Sequence, residues 1–356
     1  MHAALSRRWR IALATIVLIG ATIGLKIPVF AGTIWDTETY AGDVNALALP
    51  EGTFIVLDYN SYRHADAFIN TGDTFLTRLG NPRDLPADVG AYVGITRIVY
   101  FASLWDHPLV LEAAVQYDAI QDANIGNMPV YNVNNNGLGP QPRTNGLIDP
   151  VLFFTYGLIV EPKTERFLGF TNYFFLPLGT FNKFNTINLA SPNQFTWIPQ
   201  IEYAEGLEKF VPELKGFWFT LIPHAAVHSD GDANFAVAGV GEFSKLEQDT
   251  QYDIEAFLSY RFSEAGYVAV GVEKSWGGEQ KMYGATGELA LLFPGTTLWL
   301  KDDFLKGHVQ AVYPVSTDFH VGFDITHDFE REGNFREDFT AEVRFTKFFI
   351  PAQSLK

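Results

Sequence analysis

Few residues in this chain are spaced for chemistry, and His224 with His228, followed by Ser229 and Asp230, form the densest group that is. A Ser–His pair suits acyl transfer and two histidines suit a transition metal. In a strand, however, residues i and i+4 share a face but stand about 13 Å apart, too far for one ligand set. The pattern therefore predicts a solvated strand end with no catalytic and no metal role. Gly277-Gly278 follows a strand pattern without opening a helix, so its N–H groups would not converge on an anion, and it predicts a turn. Asp302, Asp303, Glu330 and Glu332 are acids of the kind that hold divalent cations, including those bridging lipopolysaccharide, yet exposed acids are ordinarily only solvated. No nucleophile elbow, zinc-binding helix, phosphate loop or calcium loop occurs, so the chain is expected to be no enzyme and to need no cofactor. Cysteine is absent, which removes disulfides and thiolate chemistry together.

A second constellation is spread along the chain. Glu112, Asp118, Glu202, Asp253, Glu255, Arg261, Glu273, Glu342 and Arg344 each fall on the polar side of a segment that alternates polar and apolar residues. The segment 251–262 is the clearest: Gln251, Asp253, Glu255, Ser259 and Arg261 alternate with Tyr252, Ile254, Ala256, Leu258, Tyr260 and Phe262. A two-residue period means strand. Such segments also occur at 53–62, 90–103, 109–118, 150–160, 167–176, 195–206, 217–228, 266–276, 306–314, 317–327 and 338–346. The nine charged residues are candidates to line a lumen, where like charges demand either hydration or bracing by Arg–carboxylate pairs.

Alternation of this kind fits a soluble sandwich or a transmembrane barrel, and two features favour the barrel. Aromatic clusters at Phe153-Phe154, Tyr173-Phe174-Phe175, Phe217-Trp218-Phe219 and Phe348-Phe349 are placed like the girdles of outer-membrane barrels. Long connections at 64–89, 120–148, 177–194, 229–250 and 328–337 alternate with short ones at 104–108, 161–166, 207–215, 263–265 and 314–316, as external loops and periplasmic turns do. The loop 120–148, rich in Asn, Gly and Pro, is too polar to order itself. The expected fold is an all-β, antiparallel up-and-down transmembrane barrel of twelve strands. Fourteen is the alternative if a hairpin turned by Pro294-Gly295 within 284–302 joins the wall.

The first residues carry export grammar: Arg7, Arg8 and Arg10, an apolar run from Ile11 to Leu25, and Val29 and Ala31 ahead of a cleavage site. The run is shorter than the roughly 20 residues that a spanning helix needs. The expected division is a signal peptide 1–31, an N-terminal periplasmic segment 32–52, the barrel 53–349 and a tail 350–356. Cleavage after Ala31 removes four cations and no acid, taking the net charge from −16 to −20, and so argues against a nucleic-acid partner. The partners expected instead are outer-membrane lipid and lipopolysaccharide, the barrel-assembly machinery and a small-molecule solute.

Several stretches resemble one known family. They are Asp58-Tyr59-Asn60, Asp149-Pro150, Leu168-Gly169-Phe170 leading into Phe175-Leu176-Pro177-Leu178-Gly179, Asn188-Leu189 with Asn193 and Trp197, and Gly277-Gly278-Glu279. Over roughly 50–349 the chain resembles the bacterial outer-membrane proteins grouped as the MetA-pathway phenol-degradation family. The resemblance implies an outer-membrane barrel acting as a passive channel or transporter for small aromatic or hydrophobic compounds. A non-transporting structural or surface-interaction barrel is the alternative, and an outer-membrane enzyme comes third.

Overall fold

The computed structural model describes residues 40–69, 84–125, 145–181, 193–233, 241–292 and 302–351, with short pieces at 29–30, 128–129, 187–188, 236–237, 295 and 297–300. The expected signal peptide, apart from 29–30, and most of the 120–148 loop lie outside the described residues. Twelve strands make the wall: β1 (Phe54–Ile69), β2 (Asp84–Leu104), β3 (His107–Ile125), β4 (Asn145–Glu161), β5 (Arg166–Phe175), β6 (Thr196–Gly206), β7 (Phe217–His228), β8 (Gln251–Arg261), β9 (Tyr267–Gly277), β10 (Asp303–Ser316), β11 (Phe319–Glu332) and β12 (Asn334–Phe349). Each pairs antiparallel with its chain neighbour, and β12 returns to β1 in a register from Phe54–Phe349 to Ile69–Asn334. The sheet therefore closes and no wall edge remains unpaired.

Side chains alternate between the two faces of the wall as the sequence pattern requires. Along β8, Gln251, Asp253, Glu255, Phe257 and Ser259 are buried while Tyr252, Ile254, Leu258 and Tyr260 are exposed. Leu258 lies directly across from Val270, Val270 from Val309, and Val309 from Ile325, an apolar row spanning four strands. These four remain 44%, 56%, 59% and 56% exposed on the outside of a closed barrel. At about 25 cal/mol per Å² such a belt is unfavourable in water and favourable against lipid tails, so the wall spans a bilayer.

Tight turns close one end. The β2–β3 hairpin turns on Trp105 and Asp106, both at positive φ, which matches the twist of the strands it joins. At the other end the strands run further than the alternation alone marks. Residues 328–337, expected as a long loop, are instead the continuation of β11 and β12 to a turn at Gly333 and Asn334, at φ 89° and 65°. The β7–β8 and β9–β10 connections share a small sheet of Gly231–Asp232, Lys245–Gln248, Gln280–Tyr283 and Thr297–Leu300. Within 284–302 the described residues hold a helical turn at Leu289–Leu292 and the cap strand Thr297–Leu300, which pairs with Gln280–Tyr283, so the wall has twelve strands rather than fourteen. Gly277 and Gly278, at φ 89° and 63°, form the turn leaving β9.

Residues 40–49, part of the segment 32–52 expected ahead of the barrel, run inside it, with a short 3-10 helix at Asp43–Ala48 whose Val44 and Leu47 are buried against the inner wall. The reason is burial of apolar area: Tyr40, Ala41, Val44 and Leu47 join one cluster with Leu57, Tyr59, Phe153, Phe167, Tyr173, Trp218 and Phe257.

Candidate functional site

Among the described residues, charged, polar and ring-bearing side chains from the strands converge in the lumen, where the inserted segment packs against them. Ala41 is tied to the wall on both sides: its N–H donates to Gln310 Oε1 at 3.0 Å, and its carbonyl accepts from Thr220 Oγ1 at 2.9 Å. Tyr40 Oη donates to Glu342 Oε1 at 3.0 Å. Arg344 Nη1 bonds both carboxylate oxygens of Asp43, at 2.8 and 2.9 Å, while its guanidinium lies 3.6 Å from the centre of the Tyr40 ring. Gly42 N–H donates to Tyr267 Oη at 3.2 Å, and a Cβ at position 42 would stand only 2.6 Å from the Tyr267 ring, so glycine permits this approach. Gly169 does the same for the helix, since a Cβ there would be 3.3 Å from Leu47 Cδ1.

The nine residues singled out as lumen candidates fall on the inner face, in different settings. Glu112 is paired with Arg97 at 2.7 Å, and Arg97 also donates to Tyr59 Oη at 3.3 Å and lies 4.4 Å from the Phe153 ring centre. Glu202 accepts from Thr171 Oγ1 at 3.0 Å and Gln200 Nε2 at 2.7 Å. Asp118 is buried where β3 faces Gly146 and Val93. Arg261 stacks 3.9 Å from the Trp218 ring centre. Glu273 meets His308 at 3.2 Å, and the other ring nitrogen of His308 meets Asp324 at 3.2 Å. Asp253 and Glu255 face His224 of β7. Glu342 and Arg344 hold the inserted segment as above. Arg97 with Glu112, His308 with Glu273 and Asp324, and Arg344 with Asp43 are bracing pairs of the kind such a lumen calls for.

Three features escaped the alternation argument. The first is the insert itself, which carries no strand or helix signature. The second is the inward members of three of the aromatic clusters: Phe153, Tyr173, Phe175 and Trp218 are buried in the lumen, Phe153 stacking on Tyr173 at 4.7 Å and Phe167 on Trp218 at 6.0 Å. Consecutive strand residues point to opposite faces, so a run of aromatics cannot all belong to a lipid-facing girdle. The third is Asp302, expected to be solvated but buried and paired with Arg331 at 2.8 Å. Between the insert and the wall a cavity of about 250 Å³ remains, lined by apolar residues such as Leu47, Val99, Phe101 and Val312 and by charged ones, among them Arg97 with Glu112, Glu202, Arg261 and Arg344.

No protein-family model matches the chain, and no curated protein matches it. Among solved structures it is similar to the COG4313 outer membrane channel from Pseudomonas putida F1, at 19% identity and a TM-score of 0.69, covering 87% of this chain and 100% of that one. It also aligns with the TodX deltaS2S3 mutant monoaromatic hydrocarbon channel at 8% identity and a TM-score of 0.45, over 90% and 94% of the two chains. The NanC porin follows at 8% identity and a TM-score of 0.38, over 83% and 99%. The first of these shows the fold, and the fold is that of a twelve-stranded outer-membrane β-barrel.

Proposed function

We propose that this chain is a passive outer-membrane channel for small aromatic or hydrophobic compounds, as its resemblance to the phenol-degradation family implies, with residues 40–49 controlling passage. The insert carries this reading. It is joined to the wall by side-chain hydrogen bonds and the Asp43–Arg344 pair, each on the order of 1 kcal/mol, and by the burial of Val44 and Leu47, with no strand ladder among its contacts. It can therefore shift while the wall stays closed. The cavity beside it supports the substrate class, since apolar side chains such as Leu47, Val99, Phe101 and Val312 line it together with charged groups, a mixture that suits a compact solute with an apolar body and a polar group.

The chain reaches its membrane behind the leader 1–31, is inserted by the barrel-assembly machinery and faces lipid and lipopolysaccharide. N-terminal sequencing of the mature protein is then expected to begin at Gly32. Planar-bilayer recordings test the channel: wild type conducts weakly, and Arg344→Ala, which frees Asp43, conducts several-fold more. Folded barrels silent in both forms would leave the second reading, a structural barrel. The apolar filling of the lumen favours that alternative.

A further inference from the structure

We propose that His224, Asp253 and Glu255 form a binding site for a divalent first-row transition cation on the inner wall between β7 and β8. The register places His224 opposite Asp253 and Ile222 opposite Glu255, so the imidazole comes across from β7 toward two carboxylates on alternate residues of β8. Nε2 of His224 is 3.9 Å from Asp253 Oδ1, and Nδ1 is 4.0 Å from Glu255 Oε1. One donor atom from each residue lies within 4.8 Å of the other two. These separations exceed a hydrogen bond. The two distances run to different ring nitrogens, of which a metal takes one, so the spacing to be closed is the 4.8 Å within which one donor of each residue lies, against about 3–3.6 Å between two ligands with bonds of about 2.0–2.2 Å. Small side-chain rotations close the difference while the strands stay in register.

The setting is unlike a solvated acidic patch. The side chains of Asp253 and Glu255 are each 6% exposed and that of His224 10%. Glu255 is also directly across from Glu273 of β9, a like-charge pair that repels at this distance. On the β9–β10 side, Glu273 is met by His308 at 3.2 Å and Lys306 at 3.9 Å. A neighbouring strand supplies a further observation: Gln200 of β6, in register with His224, is buried, and its Oε1 has no hydrogen-bond partner among the described residues. When one imidazole nitrogen binds metal, the other N–H needs an acceptor to fix the ring, and Gln200 Oε1 stands on the strand that can provide it. One imidazole with two carboxylates selects zinc and its first-row neighbours over calcium and magnesium, which prefer all-oxygen shells.

The site does not depend on whether the barrel conducts. Full-length protein purified in detergent and stripped with EDTA is titrated with Zn²⁺ by calorimetry, and Co²⁺ binding is followed by its visible absorption. The expected result is one saturable Zn²⁺ per chain, weakened at least about tenfold by His224→Gln and by Asp253→Asn and unchanged by His228→Gln. Heat-modifiable gel migration confirms that each variant is folded. A folded wild type with no saturable binding, or a folded His224→Gln barrel binding Zn²⁺ like wild type, would overturn the proposal.

Discussion

Leu258 and Ser259 are neighbours in sequence with opposite surroundings. Leu258 belongs to the outer apolar row, whereas Ser259 is buried beside its cross-strand partners Trp218 and Ala269. Leu258→Arg is expected to cost about 2–4 kcal/mol near the bilayer midplane, read as a lower folding yield into lipid vesicles. The alternation alone predicts that Ser259→Arg is close to neutral, because it assigns that side chain to an open lumen. The packed interior changes this expectation: a long cation beside Trp218 overpacks a filled space, at about 1–3 kcal/mol. Both variants should fold less well than Ser259→Ala, and a Ser259→Arg barrel as stable as wild type in a urea titration would show that the lumen beside Trp218 is open rather than filled.

At the level of elements, the insert and the β5–β6 connection each depend on one close approach. Gly42→Ala puts a methyl group into the Tyr267 ring and is expected to dislodge residues 40–49, while adding Tyr267→Ala relieves the clash. The chain lacks cysteine, so Leu47→Cys reports the displacement cleanly. Thiol labelling should be slow in the otherwise native chain, fast with Gly42→Ala, and slowed again in the variant that also carries Tyr267→Ala. After β5, Leu176 N–H donates to Pro150 O at 3.0 Å and Gly179 N–H to Asp149 Oδ1 at 2.8 Å. A Cβ at 179 would lie 2.7 Å from both Asp149 Oδ1 and the Leu147 carbonyl oxygen, so Gly179→Ala is expected to destabilise by about 1–3 kcal/mol in a denaturant titration. The Asp-Pro and Leu-Pro-Leu-Gly stretches that carry the family resemblance are thus two sides of one structural contact.

For the whole molecule, closure is the decisive property. Tyr62 of β1 and Ala341 of β12 are cross-strand partners with exposed side chains, although they come from opposite ends of the wall. Tyr62→Cys combined with Ala341→Cys should therefore form an intramolecular disulfide under mild oxidation and hold the barrel in its fast-migrating form on heating. An open sheet leaves the two thiols apart, and failure to cross-link in folded protein would contradict the β1–β12 seam.

Strand positions, their facing and their even number were legible in the chain because each follows from a period of two and from local turn chemistry, whereas the long loop expected at 328–337 proved to be strand and a tight turn. The segment 251–262 shows how far that reaches: its alternation fixes which side of the wall Asp253, Glu255 and Leu258 occupy, and β8 spans Gln251–Arg261. Contacts between distant parts of the chain were not legible. Residues 40–49 carry no periodic signal, and their place in the lumen depends on Arg344, Gln310 and Glu342, some 270 to 300 positions away. The relation of His224 to Asp253 and Glu255 was hidden for the same reason. Read along its own strand, His224 meets only His228, about 13 Å away, whereas its ligating neighbours come from across the β7–β8 register. Alternation decides the face of each residue, and only closure of the sheet decides which residues share a place on that face.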